Sequence, residues 1–128
     1  MQGGFYKDLR LRSLEAILQE EPRGVAIGGL SVGEPVDVYN EFLEYSASIV
    51  PKNLPIYVMG IGSPEYILEA VKNGVDLFDC VLPSRNARNG NLFTFNGPIS
   101  IKQNKYKLDN NPIDLRCNCV ICRRYSRS

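Results

Sequence analysis

Apolar residues recur through the first eighty positions in two modes, helical spacing and short unbroken runs. Leu11, Leu14, Ile17 and Leu18 fall on one face of a helix over residues 5–20, with Lys7, Arg12, Glu15 and Gln19 around the rest. The run Gly24-Val25-Ala26-Ile27-Gly28 is too short for a helix and predicts a strand buried on both faces. Glu34-Pro35 then opens a helix carrying Val38, Tyr39, Phe42, Leu43, Ile49 and Val50, stopped by Pro51. Residues 55–60 predict a second buried strand. Ser63-Pro64-Glu65 caps a third helix through Ile67, Leu68 and Val71 that ends near Asn73-Gly74. Residues 76–82 predict a third strand.

Strands alternating with helices across short links imply an α/β fold, a parallel sheet or barrel with its functional residues at the carboxyl ends of the strands. Those ends hold Gly28-Gly29-Leu30, Met59-Gly60-Ile61-Gly62 and Asp79-Cys80. After Pro83 the pattern changes. Asn91-Leu92-Phe93-Thr94-Phe95, the turn Asn96-Gly97 and Pro98-Ile99-Ser100-Ile101 predict a β-hairpin, followed by a polar stretch leading to clustered cysteines. The expected division is residues 1–83 and residues 84–128.

Charge follows the same division. Residues 1–83 carry 6 Lys/Arg against 12 Asp/Glu, and residues 84–128 carry 9 Lys/Arg against 2 Asp. A segment so enriched in cations favours a polyanionic partner through counterion release, the bland alternative being a solvated surface. No stretch reaches the ~18–20 apolar residues of a membrane span and the N-terminus is unlike a signal peptide, so a cytoplasmic protein with no membrane partner is expected. In that reducing setting clustered cysteines read as metal ligands rather than disulfides.

Two groups carry candidate chemistry. Strand alternation sets Asp79 and Cys80 on opposite faces, Asp79 toward a barrel mouth and Cys80 toward the helices. A lone strand-end aspartate is commonly a cap or an ion-pair partner. Here Arg85 and Arg88 follow it and are expected to keep it ionised and to hold phosphates nearby. An ionised carboxylate can attack the anomeric carbon of a sugar and form a glycosyl ester, chemistry that also needs a second acid/base group. Cys117-x-Cys119-x-x-Cys122 supplies three soft ligands of the four that a structural zinc takes, with incidental surface cysteines as the alternative. The chain has no histidine.

Taken together, Gly28-Gly29-Leu30-Ser31-Val32-Gly33-Glu34, Met59-Gly60-Ile61-Gly62, Phe78-Asp79-Cys80-Val81-Leu82-Pro83-Ser84-Arg85 with Ala87-Arg88-Asn89-Gly90, and the three cysteines resemble the tRNA-guanine transglycosylases, in that family's order across the whole chain. The resemblance implies the C-terminal strands of a partial TIM (β/α)8 barrel with an inserted zinc-binding β subdomain. It implies exchange of guanine at the tRNA wobble position for a 7-deazaguanine on the way to queuosine, by a double displacement through a covalent aspartyl-glycosyl intermediate.

Carried onto this chain, the resemblance makes Asp79 the nucleophile and Gln2, Gly29, Leu30 and Met59 the pocket for the deazaguanine base. Gly60, Ile61, Gly62, Ser63, Pro64, Glu65 and Tyr66, with Ser84, Arg85, Asn86, Ala87 and Arg88, match regions that contact the tRNA anticodon loop. One zinc ion is implied on Cys117, Cys119 and Cys122, its fourth ligand a histidine absent from this chain. Val32 matches the bacterial type, which forms homodimers.

The family's acid/base aspartate lies in an earlier half of the barrel, so a fragment inactive alone is expected. The rival readings are a non-catalytic RNA-binding or accessory subunit of the same family, an archaeal-type enzyme acting at another tRNA position, and a zinc-stapled RNA-binding module.

Overall fold

The computed structural model describes all of residues 1–128, which form two compact units, Met1–Cys80 and Val81–Ser128. The first unit is mixed α/β, in the order α1 (Lys7–Leu18), β1 (Val25–Ile27), α2 (Val36–Ile49), β2 (Ile56–Val58), α3 (Pro64–Lys72) and β3 (Leu77–Phe78). Its three strands form a parallel sheet in sequence order, with Val25 beside Ile56, Tyr57 beside Leu77 and Val58 beside Phe78. Parallel neighbours require a crossover, and α2 and α3 supply it.

Alternation decides what each strand buries. Val25, Ile27, Ile56 and Val58 share a core with Leu14, Tyr39, Leu43, Ala47 and Ala70 from the helices, whereas Ala26 and Tyr57 on the opposite face are only half-buried. The helices end where backbone chemistry forces them to. Val50 is already extended ahead of Pro51, and Gly74 takes φ +84° just past α3, a left-handed conformation that glycine adopts without a Cβ penalty.

Three local expectations change. The third strand is shorter than residues 76–82, because beyond Phe78 the chain leaves the ladder and turns into a helix at Leu82. Ser63 begins α3 in an extended conformation but makes no side-chain cap, and Pro64 in the first turn needs no N–H partner. On α1, Leu11 is exposed while Arg10 is fully buried beside Leu14.

The second unit begins with α4 (Leu82–Arg88), followed by an antiparallel hairpin of β4 (Asn91–Thr94) and β5 (Gly97–Ser100), a 3-10 turn at Asn104–Tyr106 and α5 (Val120–Arg124). Residues 84–88, expected as a basic loop, are helical. Pro83 sits in the first turn, where a missing N–H costs nothing, and Arg85 and Arg88 lie in the last, where cations favour the helix dipole. The hairpin turn is one residue earlier than expected: Thr94 pairs with Gly97, leaving Phe95-Asn96 at the tip. The Thr94 hydroxyl fixes this turn by accepting from Asn96 N and donating to the Gly97 carbonyl at 2.6 Å. Arg127 bonds Asp109 at 3.0 Å and ties the last residues back to the loop after the 3-10 turn.

Candidate functional site

Asp79 follows β3 directly and shares its face with Leu77 and therefore with Tyr57, the partner of Leu77 on β2. That register makes the central contact of the first unit. Tyr57 Oη donates to Asp79 Oδ1 at 2.5 Å, and Gly60 N donates to the same oxygen at 3.0 Å. Gly60 reaches it by turning at φ +76° as β2 ends. The carboxylate is exposed. Its pKa lies below the ordinary value, held down first by the Tyr57 hydroxyl and then by the Gly60 N–H, while the same bond raises Tyr57. Within the first unit, a phenol and a backbone amide keep Asp79 ionised. Both donors fall on Oδ1, which leaves Oδ2 with lone pairs for a reacting atom.

A second cluster gathers around the end of β1. Met1 lies alongside this strand, its amino group donating to the Ala26 carbonyl and its own carbonyl accepting from Gly28 N at 3.0 Å. The neighbouring Gln2 carboxamide lies against Gly28 and Gly29, so close that a Cβ at Gly28 would stand 2.5 Å from Gln2 Nε2 and one at Gly29 2.8 Å from Oε1. Gly29 also takes φ +69°, which favours glycine there, whereas a Cβ at Gly28 would have to displace the Gln2 amide. The amide is exposed and free to pair with a planar hydrogen-bonding ligand.

Arg10 holds this corner together. It is fully buried, and its guanidinium donates to the carbonyls of Gly4 at 2.8 Å, Gly28 at 3.2 Å and Gly29 at 3.3 Å while lying 5.8 Å from the centroid of the Phe42 ring. Burial lowers its pKa, opposed by the charge of Glu34. Glu34 accepts from Ser31 N and Val32 N, which fixes a loop where Ser31 has φ +59°. Burial pushes Glu34 upward, but the surrounding backbone N–H groups outweigh it and leave its pKa lowered. A cleft of about 190 Å³ beside this loop is lined by Ser31, Gly33, Glu34, Tyr39 and Tyr66.

The remaining residues separate by exposure. Leu30 is 4% exposed and Ile61 1%, so each offers only its backbone to a ligand, whereas Met59 is 48% exposed at the end of β2. Pro64 and Glu65 are exposed at the start of α3, and Tyr66 is half-buried with its ring 4.6 Å from that of Tyr39. Gly62 and Ser63 are half-buried; a Cβ at Gly62 would overlap the Cys80 side chain. In the second unit Ser84, Arg85, Ala87 and Arg88 are exposed on α4 and Asn86 is half-buried.

The Sγ atoms of Cys117, Cys119 and Cys122 all lie within 4.8 Å of one another and could hold a metal ion. The local fold orients the cluster: Cys122 N points at Cys119 Sγ at 3.5 Å as α5 begins. That N–H and then the Cys117 thiol pull the Cys119 pKa down to about 7, so a thiolate is accessible near neutrality. A compact trio of thiolates repels itself unless a cation is present, and soft sulfur ligands suit zinc.

The sequence profile described as queuine tRNA-ribosyltransferase matches residues 1–128. The chain belongs to this family. It is 69% identical to a queuine tRNA-ribosyltransferase of Treponema denticola over 128 residues, covering 100% of this chain and 34% of that protein. Corresponding matches are 56% over 126 residues in Borrelia hermsii, 98% of this chain and 34% of the relative, and 51% over 128 residues in Lysinibacillus sphaericus, 100% and 34%. The chain thus spans about a third of the length of the curated relatives it matches. No helix is long and apolar enough to cross a membrane.

Sequence reasoning missed Tyr57 and Arg10. A signal existed for each. Tyr57 is the one polar-tipped side chain in the run Ile56-Tyr57-Val58, and Arg10 precedes Leu14 and Ile17 by four and seven residues, on the buried helix face.

Proposed function

We propose that this chain carries the nucleophile and part of the base pocket of a tRNA-guanine transglycosylase of the bacterial type. The observation that carries this reading is the Asp79 carboxylate, ionised, exposed and held by one oxygen at the ends of two parallel strands. In the reaction Asp79 Oδ2 bonds to ribose C1′ of the wobble nucleotide as the C1′–N9 bond to guanine breaks. An acid outside these residues protonates the departing base. The conjugate base of that acid then takes the pyrrole N–H proton of the incoming 7-deazaguanine as the nitrogen attacks C1′, and the ester electrons return to Asp79. Tyr57 and Gly60 favour that return, because hydrogen bonds to a carboxylate stabilise it as a leaving group.

Gln2, with the main chain of Gly29 and Leu30, reads the purine-like edge, and Met59 forms an apolar wall. Residues 60–66 and 84–88 contact the anticodon loop, Arg85 and Arg88 through phosphates. Zinc on Cys117, Cys119 and Cys122 supplies a structural cross-link, with a histidine from outside these residues as the fourth ligand. The strands belong to a TIM barrel with residues 1–83 in the barrel and residues 84–128 in the zinc subdomain, in a cytoplasmic, homodimeric enzyme.

The test is incorporation of labelled guanine into tRNA by the full-length protein. Wild type exchanges the label and Asp79→Asn does not. Exchange that survives in the variant rules the assignment out.

A further inference from the structure

Phe95 stands at the tip of the β4–β5 hairpin and is 71% exposed, in a unit carrying 9 Lys/Arg against 2 Asp. An exposed aromatic alone is ordinary. This one is built into a support. The buried Asp114 carboxylate accepts from Phe95 N at 2.6 Å through one oxygen and from Arg116 N at 2.8 Å through the other, which clamps the hairpin tip to the segment before the cysteines. The Arg116 guanidinium lies over the Phe95 ring, 5.1 Å from its centroid, and donates from Nη2 to Asn96 Oδ1 at 2.8 Å. The backbone of the tip and the guanidinium are therefore held in place before any ligand arrives, with the guanidinium against the ring, and the Thr94 hydroxyl bonds hold the turn from inside.

We infer that Phe95 and Arg116 form a stacking platform for an unpaired nucleobase of the RNA substrate, deepening the proposed function by adding a contact to it. Single-stranded RNA is held by aromatic rings and guanidinium planes on which bases stack, and every base has a π-face to offer. The positive charge of the unit draws the phosphate backbone, and the rigid tip supplies the flat surface without an ordering cost at binding. An apolar segment of protein is the competing occupant, since the same ring borders an apolar groove that includes Phe93, Ile113 and Ile121.

The experiment uses the full-length protein and two RNA probes, a guanine-containing anticodon stem-loop and the same stem closed as a continuous duplex. Phe95→Ala weakens stem-loop binding roughly tenfold with the salt slope unchanged, and leaves duplex binding as it was. Arg116→Lys keeps the charge but loses the plane, so it falls between wild type and Arg116→Ala. Phe95→Trp retains affinity and its emission is quenched as the stem-loop saturates. Stem-loop affinity of Phe95→Ala within twofold of wild type overturns the platform, as does Phe95→Trp emission that is blue-shifted in the free protein and indifferent to RNA. Guanine exchange by Phe95→Ala at saturating RNA keeps the two proposals separate, because loss of the platform leaves Asp79 intact.

Discussion

The phenol of Tyr57 and the carboxylate of Asp79 meet at 2.5 Å across two neighbouring strands, on an oxygen that Gly60 N also approaches. Parallel pairing of Tyr57 with Leu77 makes the contact possible, since it sets the next residue on that face of the β3 chain within reach of the ring. The pair orients the carboxylate and keeps it charged. Tyr57→Phe therefore lowers the rate of guanine exchange roughly tenfold, the order expected for a hydrogen bond to a charged group, and moves the acid limb of the rate to higher pH as the Asp79 pKa rises. A pH–rate profile of the variant against wild type reads both effects.

Arg10 is buried against three backbone carbonyls with no carboxylate hydrogen-bonded to it. Arg10→Ala leaves those carbonyls unpaired and lowers stability by on the order of 2–4 kcal/mol. It also frees the Gly28–Gly29 turn against which Gln2 rests. Denaturant unfolding with equilibrium binding of guanine checks both consequences.

Gly62→Ala drives a methyl group into the Cys80 side chain. The expected loss is about 1–3 kcal/mol of unfolding free energy. Adding Cys80→Gly clears both the Cβ and the sulfur, so the double variant recovers most of it in the same assay.

Acid should act strongly on the second unit. Asp114 is held below the usual carboxylate value by the N–H groups of Phe95 and then Arg116, and Asp109 by the N–H of Asn111 and then the Arg127 side chain. For a depressed carboxylate the stabilisation is full above the unfolded value, 3.8 here, and is lost as pH falls through the lower folded value. The unit keeps its stability through the neutral range and loses it below about pH 4. Thermal melts from pH 7 to pH 2 with Asp114→Asn as the comparison show this, the variant losing the Asp114 part of the acid sensitivity and keeping the part due to Asp109.

Removing any one of Cys117, Cys119 or Cys122 takes a ligand from the proposed zinc site. Substitution by serine weakens zinc retention at least tenfold, since changes in partners one shell further out already cost ~10–100-fold. Metal content after competition with a chelator measures it.

The order of helices and strands was legible because each has its own hydrophobic period, and the strand ends named Asp79 and the Gly28–Gly29 turn in advance. Helix α4 was hidden because Pro83 and two arginines look like loop residues until their positions in the first and last turns are known. The partners of Asp79 were hidden for a different reason. Strand register brings Tyr57 from 22 positions away, and no local spacing points to it. The buried guanidinium of Arg10 likewise depends on carbonyls 18 and 19 positions distant, which no local pattern encodes.

The most direct measurement is mass spectrometry of the full-length protein trapped with a guanine-containing anticodon stem-loop and digested to peptides. The account predicts an RNA-derived ribosyl adduct on the peptide containing Asp79, absent from Asp79→Asn and reversed by added guanine. An adduct on another residue, or one that persists in Asp79→Asn, contradicts it.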